Sequence, residues 1–179
     1  MNKTDQLKQI VKRDAVKFGK FILSSGKESD IYVDLRQVTL NPVGASIIGS
    51  LTYDLIKDRK VDAVGGMSVG ADPIAVATSL AAYSQGREIV AFLVRKSQKT
   101  HGTGNVIEGP VKAGQRALVV EDVITTGAST IAAIERIREA GMEIELVVAV
   151  FDRCEGGKEA IEALGYEVRS LLTRHDLSS

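Results

Sequence analysis

Cysteine is nearly absent from this chain, with Cys154 alone among 179 residues. A lone cysteine excludes an intramolecular disulfide framework and a cysteine-rich zinc site. A surplus of either charge is missing too, since 23 Lys and Arg face 23 Asp and Glu for a formal net charge of zero. Nucleic-acid binders draw much of their affinity from neutralised phosphates and carry a basic excess, so no nucleic-acid partner is expected. No amphipathic basic stretch suits a membrane surface, and no run approaches the ~18 apolar residues of a membrane-crossing helix. Met1–Gln6 is polar where an export signal would have an apolar core. These absences lead us to expect a cytoplasmic protein with no membrane partner. Two phosphate-binding fingerprints are also lacking, Gly-x-Gly-x-x-Gly after a first strand and Gly-x-x-x-x-Gly-Lys-Ser/Thr. Their absence speaks against a dinucleotide oxidoreductase and a Walker-type nucleotide hydrolase.

What remains is an ordinary globular composition, 44% hydrophobic. At this length roughly 70% of the unfolded surface is buried on folding. There is no repeat, low-complexity tract or linker, so residues 1–179 are expected to form a single domain. Residues 4–17 have helical period, with Leu7, Ile10, Val11 and Ala15 on one face. Over 18–36 the period shortens around Ser24-Ser25-Gly26-Lys27, which predicts a hairpin. Helical spacing returns from Pro42 through Val43, Ile47, Leu51 and Leu55. Beyond it, apolar strands near 61–66, 88–94, 116–120, 145–151 and 167–172 alternate with helices over 71–84, 130–140 and 158–164. Such alternation predicts an α/β fold with a parallel central sheet flanked by helices. Tyr53, Tyr83 and Tyr166 are expected to pack, and His175 to be solvated.

One connection breaks this rhythm. Arg95-Lys96-Ser97-Gln98-Lys99-Thr100-His101-Gly102-Thr103-Gly104-Asn105 follows a strand and is locally basic. Loops of such folds usually span 2–6 residues, and longer ones are often functional. Ligands of parallel sheets bind beyond the strand C-termini, where this segment begins. A solvated surface loop is the alternative reading.

The chemistry concentrates in Leu118-Val119-Val120-Glu121-Asp122-Val123-Ile124-Thr125-Thr126-Gly127-Ala128-Ser129-Thr130. An apolar strand leads to two carboxylates, then to a turn of small and hydroxylated residues that opens a helix. Free N–H groups at a helix start hold phosphate. Gly127 allows close backbone approach, and the hydroxyls add donors. The carboxylates can accept from sugar hydroxyls or stand near a divalent cation. Taken alone, the same residues could simply cap a helix.

Val119–Thr130 resembles the signature of the type I phosphoribosyltransferases, which use 5-phosphoribosyl 1-diphosphate. Two further segments narrow the resemblance to the orotate phosphoribosyltransferase family. These are Phe18–Ser29 with Tyr32-Val33-Asp34, and Arg95–Gly102. The likeness runs from about residue 17 to Arg153. It implies the type I phosphoribosyltransferase fold, with a small N-terminal hood hairpin over about 18–36 and a mobile loop over about 95–110. It also implies transfer of the phosphoribosyl group to orotate, giving orotidine 5′-monophosphate and diphosphate in pyrimidine (UMP) biosynthesis.

By the same resemblance, Lys99, His101 and Asp122 are the implied catalytic residues. The donor is contacted by Arg95, Lys96, Lys99, His101, Glu121, Asp122, Val123, Ile124, Thr125, Thr126, Gly127, Ala128 and Ser129. Orotate is met by Thr125, Arg153, Tyr32 and Val33. The family pattern further implies Mg²⁺ held mainly by substrate oxygens and water, and a homodimer whose loop reaches the neighbouring site. Physical chemistry agrees with these roles. Departing diphosphate needs cations, which the 95–101 segment supplies. Arg153 suits the carboxylate of orotate, although an ion pair with Asp152 or Glu155 is the plainer reading.

The chain departs from many relatives at two places. Ser24 stands where some carry Lys, and Val69-Gly70 stands where many carry Tyr-Lys. Asp72, in Gly66-Met67-Ser68-Val69-Gly70-Ala71-Asp72-Pro73, could cap the following helix or serve the site. Two other functions compete. A purine phosphoribosyltransferase would need a purine-stacking aromatic near the C-terminal strand. A non-catalytic nucleic-acid-binding regulator would need an added basic module, and the chain has none.

Overall fold

A computed structural model of the chain describes residues 2–22, 28–97 and 106–177. Helix α1 (Lys3–Ile10) is capped by Asn2, whose side chain accepts from the Asp5 N–H at 2.8 Å. It runs on into a single π-helical turn, Val11–Ala15. The helix read from the sequence to residue 17 stops there because Val16 is already extended, at φ −98° and ψ 130°. Val16 opens β1 (Val16–Ile22), which pairs antiparallel with β2 (Glu28–Val33). This is the expected hood hairpin. Its tip, with Ser24, Ser25, Gly26 and Lys27, lies outside the described residues.

After a short helix α2 (Arg36–Thr39), the side chain of Asn41 caps α3 (Pro42–Ile56). Pro42 sits in the first turn, where its missing N–H costs nothing. The buried face of α3 is Gly44, Ile48, Gly49, Thr52 and Ile56, one residue round from the predicted stripe. Ile47, Leu51 and Leu55 are only partly buried, and Val43 is exposed. Small residues on the inner face let α3 lie close to its neighbours, which hydrophobic spacing does not register. Arg87 closes the far end of α3 by donating to the carbonyls of Ile56, Lys57, Arg59 and Val61.

The remaining elements are β3 (Ala63–Met67), α4 (Asp72–Ser84), β4 (Val90–Val94), β5 (Ile107–Glu108), β6 (Arg116–Ile124), α5 (Ala128–Glu139), β7 (Glu143–Asp152), α6 (Gly157–Glu162), β8 (Val168–Thr173) and α7 (Arg174–Leu177). They form a six-stranded sheet in the order β5-β4-β3-β6-β7-β8. All neighbours are parallel except β4 and β5. Part of the connection expected over 95–110 is therefore a short antiparallel strand.

Alternate residues of β6 and β7 face opposite layers, and both layers are buried. Leu118, Val120, Val148 and Val150 pack with α1, α3 and α4, while Ala117, Val119, Val147 and Ala149 pack with α5 and α6. Burial on both faces explains why these strands read as unbroken apolar runs. Strand starts are tied by Arg116 to Glu143 and Glu145, and by Arg59 to Glu145 and Glu167. Tyr53 and Tyr166 pack against the core. Tyr83, expected to do likewise, is 74% exposed, on the outer side of α4 with Val76 and Leu80. Among the described residues, no helix is long and apolar enough to cross a membrane.

Candidate active site

Strand β6 is longer than its apolar run and carries both acids inside it. Glu121 pairs with Ala149 in the β6–β7 register and is almost fully buried. Its carboxyl accepts from the Thr130 hydroxyl at 3.1 Å. Burial first, and the adjacent Asp122 second, push the Glu121 carboxyl up to about 8. Both effects favour the protonated form of Glu121. Asp122 is more open and accepts from the Val123 N–H at 2.8 Å. Its carboxylate lies against Gly70, where a Cβ would come within 2.6 Å of it.

The chain then turns at Thr125–Ser129. Gly127 stands at φ +82°, a left-handed conformation costly for other residues, and forms the cap of α5. With Ala128 beginning a 12-residue helix, the first-turn N–H groups point into the turn and suit an anion. From behind, the carbonyl of Gly157 in α6 fills the space a side chain at 127 would need, 2.8 Å from an added Cβ.

Two hollows meet at this strand end. The larger, about 490 Å³, lies between Tyr32–Arg36, Met67–Gly70, Lys96, Glu121–Val123 and Ser129. The smaller, about 120 Å³, is the turn itself, from Thr125 to Thr130, with Glu121, Val123 and Ile124. Of the residues singled out in the sequence, Tyr32, Val33, Lys96, Glu121, Asp122, Val123 and Ser129 line the first. Ile124, Thr125, Thr126, Gly127 and Ala128 line the second. Lys99 and His101 lie outside the described residues. Arg95 borders neither hollow, and its guanidinium pairs with Glu108 at 3.1 Å. Arg153 lines neither hollow, although its N–H donates to the carbonyl of Ile124 at 3.0 Å beside the smaller one. It is 5% exposed, and its side chain pairs with Glu155 at 2.8 Å, one of the partners weighed from the sequence.

Three residues take roles that spacing alone did not reveal. Arg36 lines the large hollow while donating to Asp34 at 2.8 Å, and that bond holds the Asp34 carboxyl below its usual range. Asp34-Leu35-Arg36 directly after a strand was the available signal. Gly70 is the second, as the residue whose lack of a side chain admits Asp122. Asp72 is the third. It does not cap α4, whose cap is Ala71, but accepts from Ser68 at 2.8 Å across the intervening turn. Burial raises its carboxyl pKa.

Among the described residues, no three His, Cys, Asp or Glu side chains converge as a metal site. The open oxygens of Asp122 and the hydroxyls of the turn are hard donors that fit a cation whose remaining ligands are substrate oxygens and water.

A strand-end acidic pair followed by a Thr/Gly turn at a helix start defines a class, and the phosphoribosyl transferase domain family matches residues 34–173. The orotate phosphoribosyltransferase of Streptomyces avermitilis is 49% identical over 157 residues, covering 88% of this chain and 86% of that protein. That of Mycobacterium avium is 46% identical over 173 residues, covering 97% and 95%. The Mycobacterium tuberculosis orotate phosphoribosyltransferase, crystallised with 5-phospho-α-D-ribosyl 1-diphosphate, superposes with a TM-score of 0.84 at 40% identity, covering 99% of this chain and 100% of that one. The chain belongs to the orotate phosphoribosyltransferase family.

Proposed function

We propose that this chain uses the β6 strand end as a phosphoribosyl site, with Mg²⁺, and that it works as a cytoplasmic homodimer. Its reaction is that of an orotate phosphoribosyltransferase. The C1–oxygen bond to diphosphate breaks, a bond from C1 to N1 of orotate forms, and the N1 proton is lost. The products are orotidine 5′-monophosphate and diphosphate, within pyrimidine biosynthesis. One observation carries this reading: Glu121–Asp122 and the Thr125–Ser129 turn are consecutive and share the walls of adjoining hollows. A phosphate in the turn places the ribose hydroxyls beside the two acids.

Within that frame Asp122 accepts from a ribose hydroxyl, and protonated Glu121 stands as a donor beside it. Amides of 125–129 hold the 5′-phosphate. Lys96 faces the diphosphate, and Arg95, Lys99 and His101 add positive charge to the leaving group. Asp122 and the substrate oxygens would hold Mg²⁺, which supplies charge neutralisation of the diphosphate. Orotate stacks near Tyr32 and Val33, close to Thr125. Its carboxylate meets Arg153 once the Glu155 pair opens, while Arg36 already stands at the cavity wall.

The homodimer is supported by an apolar stripe on one side of the site. Val69 is 70% exposed and lines the large hollow, and Val76, Leu80 and Tyr83 continue the stripe along α4 at 49%, 65% and 74% exposure. Such a contiguous apolar surface suits an isologous contact beside the cavity. Leu80→Asp is expected to shift the chain to monomer in sedimentation velocity and to lower turnover in parallel. A variant that stays dimeric would remove α4 from the interface.

The reaction is tested by incubating the chain with orotate, the donor and Mg²⁺ and following orotate absorbance. Loss of orotate that requires all three components supports the reading. Turnover of a purine base with orotate untouched would overturn it.

A further inference from the structure

The site has a support at the end of β4. Strand β5 pairs back on β4 through Val94↔Ile107 and Leu93↔Glu108. The Arg95 N–H donates to the Val106 carbonyl at 2.8 Å, and the Arg95 side chain pairs with Glu108. Residues 95 and 96 lie past the last β3–β4 register pair, Met67↔Val94, so that ladder does not set the direction of the chain beyond it. A side chain from α5 reaches this point. The Arg136 guanidinium donates to the Lys96 carbonyl at 2.9 Å and to the Arg95 carbonyl, with Met67 Sδ at 3.7 Å.

We propose that Arg136 is a positioning residue for the phosphoribosyl donor. Holding two consecutive carbonyls, it fixes the backbone at Lys96, which lines the large cavity. The assignment rests on the proposed role of Lys96 at the diphosphate. Only a planar guanidinium presents paired donors in a rigid fork suited to two adjacent carbonyls; an ammonium offers a point charge on a flexible stem. Arg136 lies about 12 Å along the axis from Ala128, at 1.5 Å per residue, in the same helix that opens at the phosphate turn. One rigid helix therefore sets both the site of the 5′-phosphate and the backbone carrying the cation for the diphosphate. The two ends belong to a single donor molecule, so α5 would support both.

Steady-state kinetics with both substrates varied, together with thermal melts, test the assignment on Arg136→Ala and Arg136→Lys. Orotate turnover by the unaltered chain in the same assay checks the underlying reaction separately. Arg136→Ala is expected to lower kcat/KM for the donor about tenfold or more, as for loss of charge-assisted hydrogen bonds. KM for orotate should stay within about twofold. Arg136→Lys should recover only part of the loss, and millimolar methylguanidinium should restore part of the Ala variant's activity. If the Ala variant does not fold, a Lys variant with unchanged donor kcat/KM overturns the assignment. It is equally overturned if KM for orotate rises as far as that for the donor, or if activity falls only in step with melting temperature.

Discussion

Replacing Glu121 with Gln should make the protein more stable at pH 7.5 and flatten its dependence on pH. The carboxyl has an ordinary value of 4.5 and is raised to about 8 in the fold, chiefly by burial and then by Asp122. The folded chain thus holds this proton more tightly than the unfolded chain does. Below about pH 4.5 both states are protonated and the group costs nothing. As pH rises toward 8 the unfolded state ionises first, so stability falls across that window by up to ~1.4 kcal/mol per pH unit. At pH 7.5 the cost of Glu121 reaches at most ~4 kcal/mol, and relaxation around the site brings about 2–4 kcal/mol as the expected gain for Glu121→Gln. The amide can still accept from Thr130 and donate toward Asp122, so packing is retained. Urea unfolding of both proteins at half-unit steps from pH 5 to 8.5 measures this, and the difference between the curves isolates the Glu121–Asp122 pair from titrating groups elsewhere. The gap should widen steadily with pH and level off near 8. Parallel curves would refute a protonated Glu121.

Gly70→Ala tests the contact that spacing could not show. The added methyl meets the Asp122 carboxylate at 2.6 Å, so kcat/KM for the donor should fall about tenfold while the melting temperature stays nearly constant. Gly127→Ala combines a left-handed φ of +82° with a 2.8 Å clash against Gly157. It should destabilise the chain by about 1–3 kcal/mol in denaturant unfolding and weaken donor binding.

Much of the fold was legible because two-sided burial writes itself into strands such as Leu118–Val120 as continuous apolar sequence. The Thr125–Ser129 turn was legible because a strand, two acids and a Thr/Gly run are contiguous in the chain. Properties that arise only between distant segments were hidden. Asp122 and Gly70 touch across 52 positions of sequence, and the inner face of α3 is chosen by the close approach of small residues. The family resemblance implies that Arg153 meets orotate, and in the fold its side chain pairs with Glu155.

The pairing of β4 with β5 has a consequence for how this family can vary in length. Arg95 and Val106 already meet through a backbone hydrogen bond, so the ends of the intervening stretch are joined before any of its residues takes up a role. Lengthening such a closed stretch is inexpensive in entropy, since each doubling adds only about 0.6 kcal/mol. A change in the number of residues between these two need not move the sheet. The stability of the fold should respond far less to such a change than to one in the residues that close the neck.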